Sequence, residues 1–117
     1  MDTKLNKNLS VALSLKNVNV GPSSGIVMRR YGHIIVLDFY DIAPVSCPGG
    51  QDVVIAEGIP KPIWYTTAML YSVVKNNSGG LRVGISSNST NLVYWWNSSS
   101  LDLSVKYSGQ MIYFTND

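Results

Sequence analysis

The sequence predicts an all-β fold: an antiparallel β-sandwich, jelly-roll-like, with about nine strands. Three observations carry this. Apolar residues recur at every second position over short runs, as in Leu81, Val83 and Ile85 or Leu101, Leu103, Val105 and Tyr107. Turns rich in Asn, Ser and Gly separate the runs. Charged residues make up only 14% of the chain and Glu occurs once, at Glu57, so strands and turns are favoured over helices.

The elements follow in order. Leu9, Val11, Leu13 and Leu15 alternate with polar or small residues, the period of a half-buried strand. The stretch from Asn17 to Gly25 holds Asn, Gly, Pro and Ser and reads as a loop. Two strands, Gly25 to Tyr31 and His33 to Tyr40, meet at Gly32, where a glycine suits a hairpin or a bulge. A long loop is expected from Asp41 to Asp52, then a short strand to Glu57. Pro60 and Pro62 deny a sheet its donors, so the next strand starts at Ile63 and runs to Lys75, bent near Thr66 and Thr67. After the turn at residues 76–80 come four strands: 81–86, 91–96, 101–107 and 109–115. No segment reads as a helix.

Some faces are clean and others are not. The strands at 81–86 and 101–107 have one apolar and one polar face, and should be wet on one side. Those at 34–40, 63–74, 92–96 and 110–114 are apolar on both. A small sandwich has one interior, so the second faces must be covered by the protein's own loops and N-terminal strand, or by another subunit.

At 117 residues the chain is expected to form one domain, residues 25–117, preceded by an N-terminal strand and loop at residues 1–24 that serve as a stem or docking segment. The net charge of +2 is scattered, and nucleic-acid binding, which needs a clustered basic face, is not expected. No run approaches the roughly 20 apolar residues of a membrane span. Met1 to Asn8 is polar, so no secretory leader is expected. The four Asn-x-Ser/Thr matches, at Asn8, Asn76, Asn88 and Asn97, are then a by-product of Asn/Ser-rich turns.

Catalytic and metal-binding equipment is thin. Cys47 is the single cysteine and His33 the single histidine, so neither a disulfide nor a His/Cys metal cluster is expected. Asp38 lies on an apolar strand, where a carboxylate more often joins a network with Arg or Tyr than acts as an acid. No paired acids suggest a glycosidase. No catalytic residue, metal or cofactor is therefore expected, and the chain reads as a non-enzyme.

Aromatic and amide residues offer a binding chemistry instead. Trp64 and Tyr65 follow the proline bend, Arg82 lies on a polar strand face, and Trp95, Trp96 and Asn97 end a strand at a serine-rich turn. Indole rings stack on the apolar faces of sugars, while Arg, Asn and Ser hydrogen-bond the hydroxyls. Alternation sets Trp95 opposite Tyr94 and Trp96, so one side of that strand is expected to be packing.

Three segments carry a family resemblance. They are Gly80-Leu81-Arg82-Val83, Leu92-Val93-Tyr94-Trp95-Trp96-Asn97, and the ending Tyr107-Ser108-Gly109-Gln110-Met111-Ile112-Tyr113-Phe114-Thr115. Together with the hairpin at Arg30 to Val36, they resemble the C-terminal tip, or head, domain of bacteriophage tail-fibre receptor-binding proteins over residues 25–117. The resemblance implies a β-sandwich tip assembled as a homotrimer, attached to bacterial surface polysaccharide and to other virion tail proteins. It implies a place in the virion tail after synthesis in the host cytoplasm, and it transfers no individual site residue. A structural virion module without a ligand, such as a baseplate, decoration or fibre-connector piece, accounts for the apolar faces equally well.

Overall fold

The structure is a computed structural model describing residues 13–14, 16–17, 20–21, 24–45, 51–72, 80–86, 89–96 and 105–117. These are all-β, with no helix among them. Seven strands are long: β3 (Gly25–Tyr31), β4 (Ile34–Ile42), β5 (Gln51–Glu57), β6 (Thr66–Tyr71), β7 (Gly80–Ile85), β8 (Asn91–Trp96) and β9 (Tyr107–Phe114). Two short segments, β1 (Leu13–Ser14) and β2 (Lys16–Asn17), complete the set.

All pairings are antiparallel, in the order β1-β3-β4-β9-β6-β7-β8-β5-β2. The hairpin between β3 and β4 turns at Gly32, whose φ of 65° is one that glycine adopts without strain. β9 joins two arms. It pairs with β4 along most of its length and touches β6 through Tyr71 and Ser108. The sheet curls at this junction, and the inner faces of both arms share one core. Ile26, Met28, Leu37 and Phe39 come from one arm; Leu70, Leu81, Ile85 and Tyr94 come from the other.

β1 and β2 lie one residue apart in the chain but at opposite ends of the strand order. β1 pairs with β3 through Leu13 and Met28, and β2 pairs with β5 through Lys16 and Glu57. The two short segments thus meet both outer edges of the curled sheet and pair with part of each.

A bulge bends β4 near its end. The register against β9 shifts between Phe39 and Ile42, and Asp41 has a φ of 51°. Aspartate tolerates this left-handed conformation better than most residues. Two serines staple the bend: the Asp41 amide donates to Ser108 Oγ (3.1 Å), and Ser24 Oγ donates to the Asp41 carbonyl (3.2 Å).

Four expected boundaries are corrected. The strand expected from Ile63 begins at Thr66, because Ile63 donates its amide to the Phe114 carbonyl (2.9 Å) and the chain bends at Ile63 and Trp64. Its end, at residues 73–75, lies outside the described residues. The separate strand expected at 101–107 does not hold for its last residues: Val105 and Lys106 are outside any strand, and Tyr107 opens β9. Residues 101–104 lie outside the described set. The break expected at Ser108, between two strands, is absent: Ser108 lies inside β9, and Gly109 is where β9 closes against Leu70, since a Cβ there would sit 2.7 Å from Leu70 Cδ2. The loop expected from Asp41 starts later, because the bulge carries β4 on to Ile42.

Candidate binding cleft on the outer face of β5, β8 and β7

Alternation decides what faces outward on the second arm. Leu92 and Tyr94 point into the core, which leaves Asn91, Val93 and Trp95 outside. Leu81, Val83 and Ile85 are buried, and Arg82 and Ser86 are exposed. Register then sets neighbours. Asp52 and Arg82 pair with Trp95 from either side, and Val54 and Gly84 pair with Val93.

These strands form a cleft of about 320 Å³, lined by Asp52, Tyr65, Arg82, Val83, Gly84, Ser86, Ser89, Asn91, Val93 and Trp95. That volume lies at the lower end of the range for small-ligand sites. Gly84 makes the floor low. A Cβ there would meet the Thr66 carbonyl oxygen at 3.2 Å and Thr67 Cγ2 at 3.3 Å, with the Tyr65 hydroxyl 3.6 Å away. The Arg82 guanidinium lies over the Trp95 indole, 5.4 Å from the ring centroid. This cation–π contact occupies one face of the indole and holds the cation at the cleft wall. A tight turn closes one end: Ser89 N donates to the Ser86 carbonyl and Asn91 N to Ser89 Oγ, both at 2.9 Å.

The wall chemistry is mixed and directional. Asp52 supplies an acceptor, Arg82 donors, Asn91 an amide, and Ser86, Ser89 and Tyr65 hydroxyls. Such a set can hydrogen-bond a ligand with several hydroxyl groups while Trp95 and Val93 offer apolar contact. Asp52 is the one carboxylate on the wall.

Of the residues expected to bind, Tyr65, Arg82 and Trp95 come together here. Trp64 is 77% exposed and is not part of the wall. Trp96 ends β8, and Asn97 lies outside the described residues. Asp52, Ser86, Ser89 and Asn91 were not picked out. Ser86 was readable as a facemate of Arg82, and Asn91 as a facemate of Trp95. Asp52 was not, because only the β5–β8 pairing brings it alongside Trp95.

Other candidates for chemistry are engaged. Asp38 is buried and accepts hydrogen bonds from Arg29 Nη2 and from Gln110 Nε2 (2.8 Å), the network expected for a carboxylate on an apolar strand. His33 Nδ1 lies 2.9 Å from the Thr115 carbonyl oxygen. Among the described residues no three His, Cys, Asp or Glu side chains converge as a metal site would require.

The described residues thus form an all-β, curled antiparallel sheet with a cleft on the outer face of one arm. No protein-family model matches the chain, and no curated protein sequence matches it. Among solved structures it is similar to the head domain of lactococcal phage bIL170, a receptor-binding domain, with a TM-score of 0.66. The match covers 89% of this chain and 96% of that one at 11% sequence identity. The chain therefore has the fold of a phage receptor-binding head domain, as the sequence resemblance implied.

Proposed function

We propose that this chain is the receptor-binding domain of a phage tail fibre, attaching to bacterial cell-surface saccharide as a homotrimer. The observation that carries this reading is the shared fold with the head domain of phage bIL170 across nearly the whole of both chains. The cleft supports the saccharide part: it is uncharged on balance, rich in hydroxyl and amide groups, and contains a partly exposed indole. A weak single site gains avidity when several copies engage one cell, which is what a trimer supplies. On this reading the protein works in the virion tail, is made in the host cytoplasm, contacts other tail proteins, and makes no or breaks no bonds. We also read the curled sheet as a jelly-roll-like sandwich, since β3, β4 and β9 face β6, β7, β8 and β5 across one core.

Pull-down on whole bacterial cells tests the reading. Trp95→Ala and Arg82→Ala should each weaken binding about tenfold or more, while Trp64→Ala, outside the cleft, should leave it unchanged. Far-ultraviolet circular dichroism checks that each variant is folded. Absence of wild-type binding to any cell panel, together with tight binding to another tail protein, would favour a structural virion module instead.

A further inference from the structure

The outer face of the other arm differs in kind. On β4 and β9 the outward residues pair in rows: Ile34 beside Phe114, Val36 beside Ile112, and Asp38 beside Gln110. Ile63 extends the first row, because its amide bonds the Phe114 carbonyl and its neighbour Pro62 bridges Thr115. Ile34 is 36%, Ile112 56% and Phe114 58% exposed, with Tyr40 at 54% beyond the polar row. The exposed parts of these residues amount to roughly 500 Å², most of it apolar, which is within the range that a monomer leaves in one patch. A standard interface uses about 800 Å² from each partner, so the patch supplies most of one.

From this arrangement we infer that the outer face of β3, β4 and β9 is where a second copy of the chain packs. The inference rests on the reading of the chain as a self-associating head and names the surface responsible. Charge supports a second copy over an unlike partner. Arg29 and Asp38, the charged pair within the face, neutralise each other through their own ion pair. Three such faces can meet around a threefold axis without leaving an uncompensated ion, so nothing in the patch selects against itself. Geometry agrees. The cleft lies on the opposite arm, so packing through this face leaves Trp95 and Arg82 open in every copy.

Sedimentation equilibrium of the full chain and of Ile112→Glu and Phe114→Glu variants tests the inference, with whole-cell pull-down alongside. The wild type should sediment near three times 12.8 kDa. Either variant should fall to the mass of one chain with an unchanged circular dichroism spectrum, since both side chains are more than half exposed in the lone protomer. Their cell binding should drop while a monomer–ligand contact persists at high protein concentration. If a glutamate variant fails to fold, Ile34→Thr, at a position already open to solvent, gives the same reading. An oligomer unmoved by all three changes overturns the proposed face and leaves association itself standing. A monomeric wild type at micromolar concentration overturns both this face and the trimer, whereas absence of cell binding by an intact wild-type oligomer counts against the receptor reading alone.

Discussion

Tyr113 shows how much one inward residue can tie together. Its hydroxyl donates to the Pro60 carbonyl at 2.8 Å, which anchors the proline bend against β9. Burial pushes the phenol's pKa well above its ordinary value; nearby Asp117 adds to the rise, and Arg30 opposes it. A raised pKa means that the folded state holds this proton more tightly than the unfolded one. The stabilisation is whole below the unfolded value, about 10, and is lost as pH climbs above it. Tyr113→Phe should cost about 1 kcal/mol at neutral pH by freeing the Pro60 carbonyl. It should also flatten the fall in Tm above about pH 10 relative to the wild type. Thermal melts of both proteins from neutral pH to pH 11 check this, and parallel falls would refute it. Asp38 offers a second residue-scale test. Replacing it with Ala strands Arg29 and Gln110 on an apolar face, so urea denaturation should show a loss of about 1–3 kcal/mol. Asp38's partnership was legible because a carboxylate on an apolar strand needs one, whereas period-two alternation set Trp95 opposite Tyr94 without saying which of the two faces outward. The partner's identity, and Asp52's place beside Trp95, depended on register between distant strands.

Of the two strands read as wet on one face, the one at 81–86 came through clearly. It is β7, with Leu81, Val83 and Ile85 buried and Arg82 and Ser86 exposed. The hairpin of β3 and β4 was marked by Gly32 because a left-handed turn between two apolar runs has few other readings. The failures share a cause. Ile63–Trp64 looks like strand by composition, yet the bend there is fixed by a long-range bond to Phe114. Ser108 looks like a break between two strands by composition, yet it lies inside β9 because the two arms close on each other at that point. Glycine is needed at position 109 for space rather than for an unusual φ. Leu70 is fully buried and cannot step aside, and a Cβ at position 109 would also come within 3.4 Å of its Cα. Gly109→Val should therefore part β9 from β6 and cost about 1–3 kcal/mol, as overpacking does. Hydrogen exchange should show faster opening at β6 than at the hairpin of β3 and β4. Uniform protection would mean that the junction absorbs the side chain.

For the whole molecule, strand order was the part that sequence could not carry. Nothing local announces that β9 sits between β4 and β6, or that one short N-terminal segment reaches both ends of the sheet. Periodicity reports which face a residue takes, not which strand lies beside it. The pairing of Leu13–Ser14 with β3 and of Lys16–Asn17 with β5 has a consequence for stability. Without that segment the stretches of β3 and β5 that it covers, at Val27–Met28 and Ala56–Glu57, are left with unpaired N–H and C=O groups. Each lost backbone bond costs about 0.5–1.5 kcal/mol net. A chain lacking residues 1–24 should lose a few kcal/mol, a fall in Tm on the order of 10 °C. It should also form larger species on gel filtration as the bared edges find one another. Substitutions at Ile112 or Phe114 should not reproduce that pattern, because they alter a face and leave the edges paired. A truncated chain with wild-type Tm and no new large species would show that β3 and β5 need no cover, and that the N-terminal segment is free to serve as a stem.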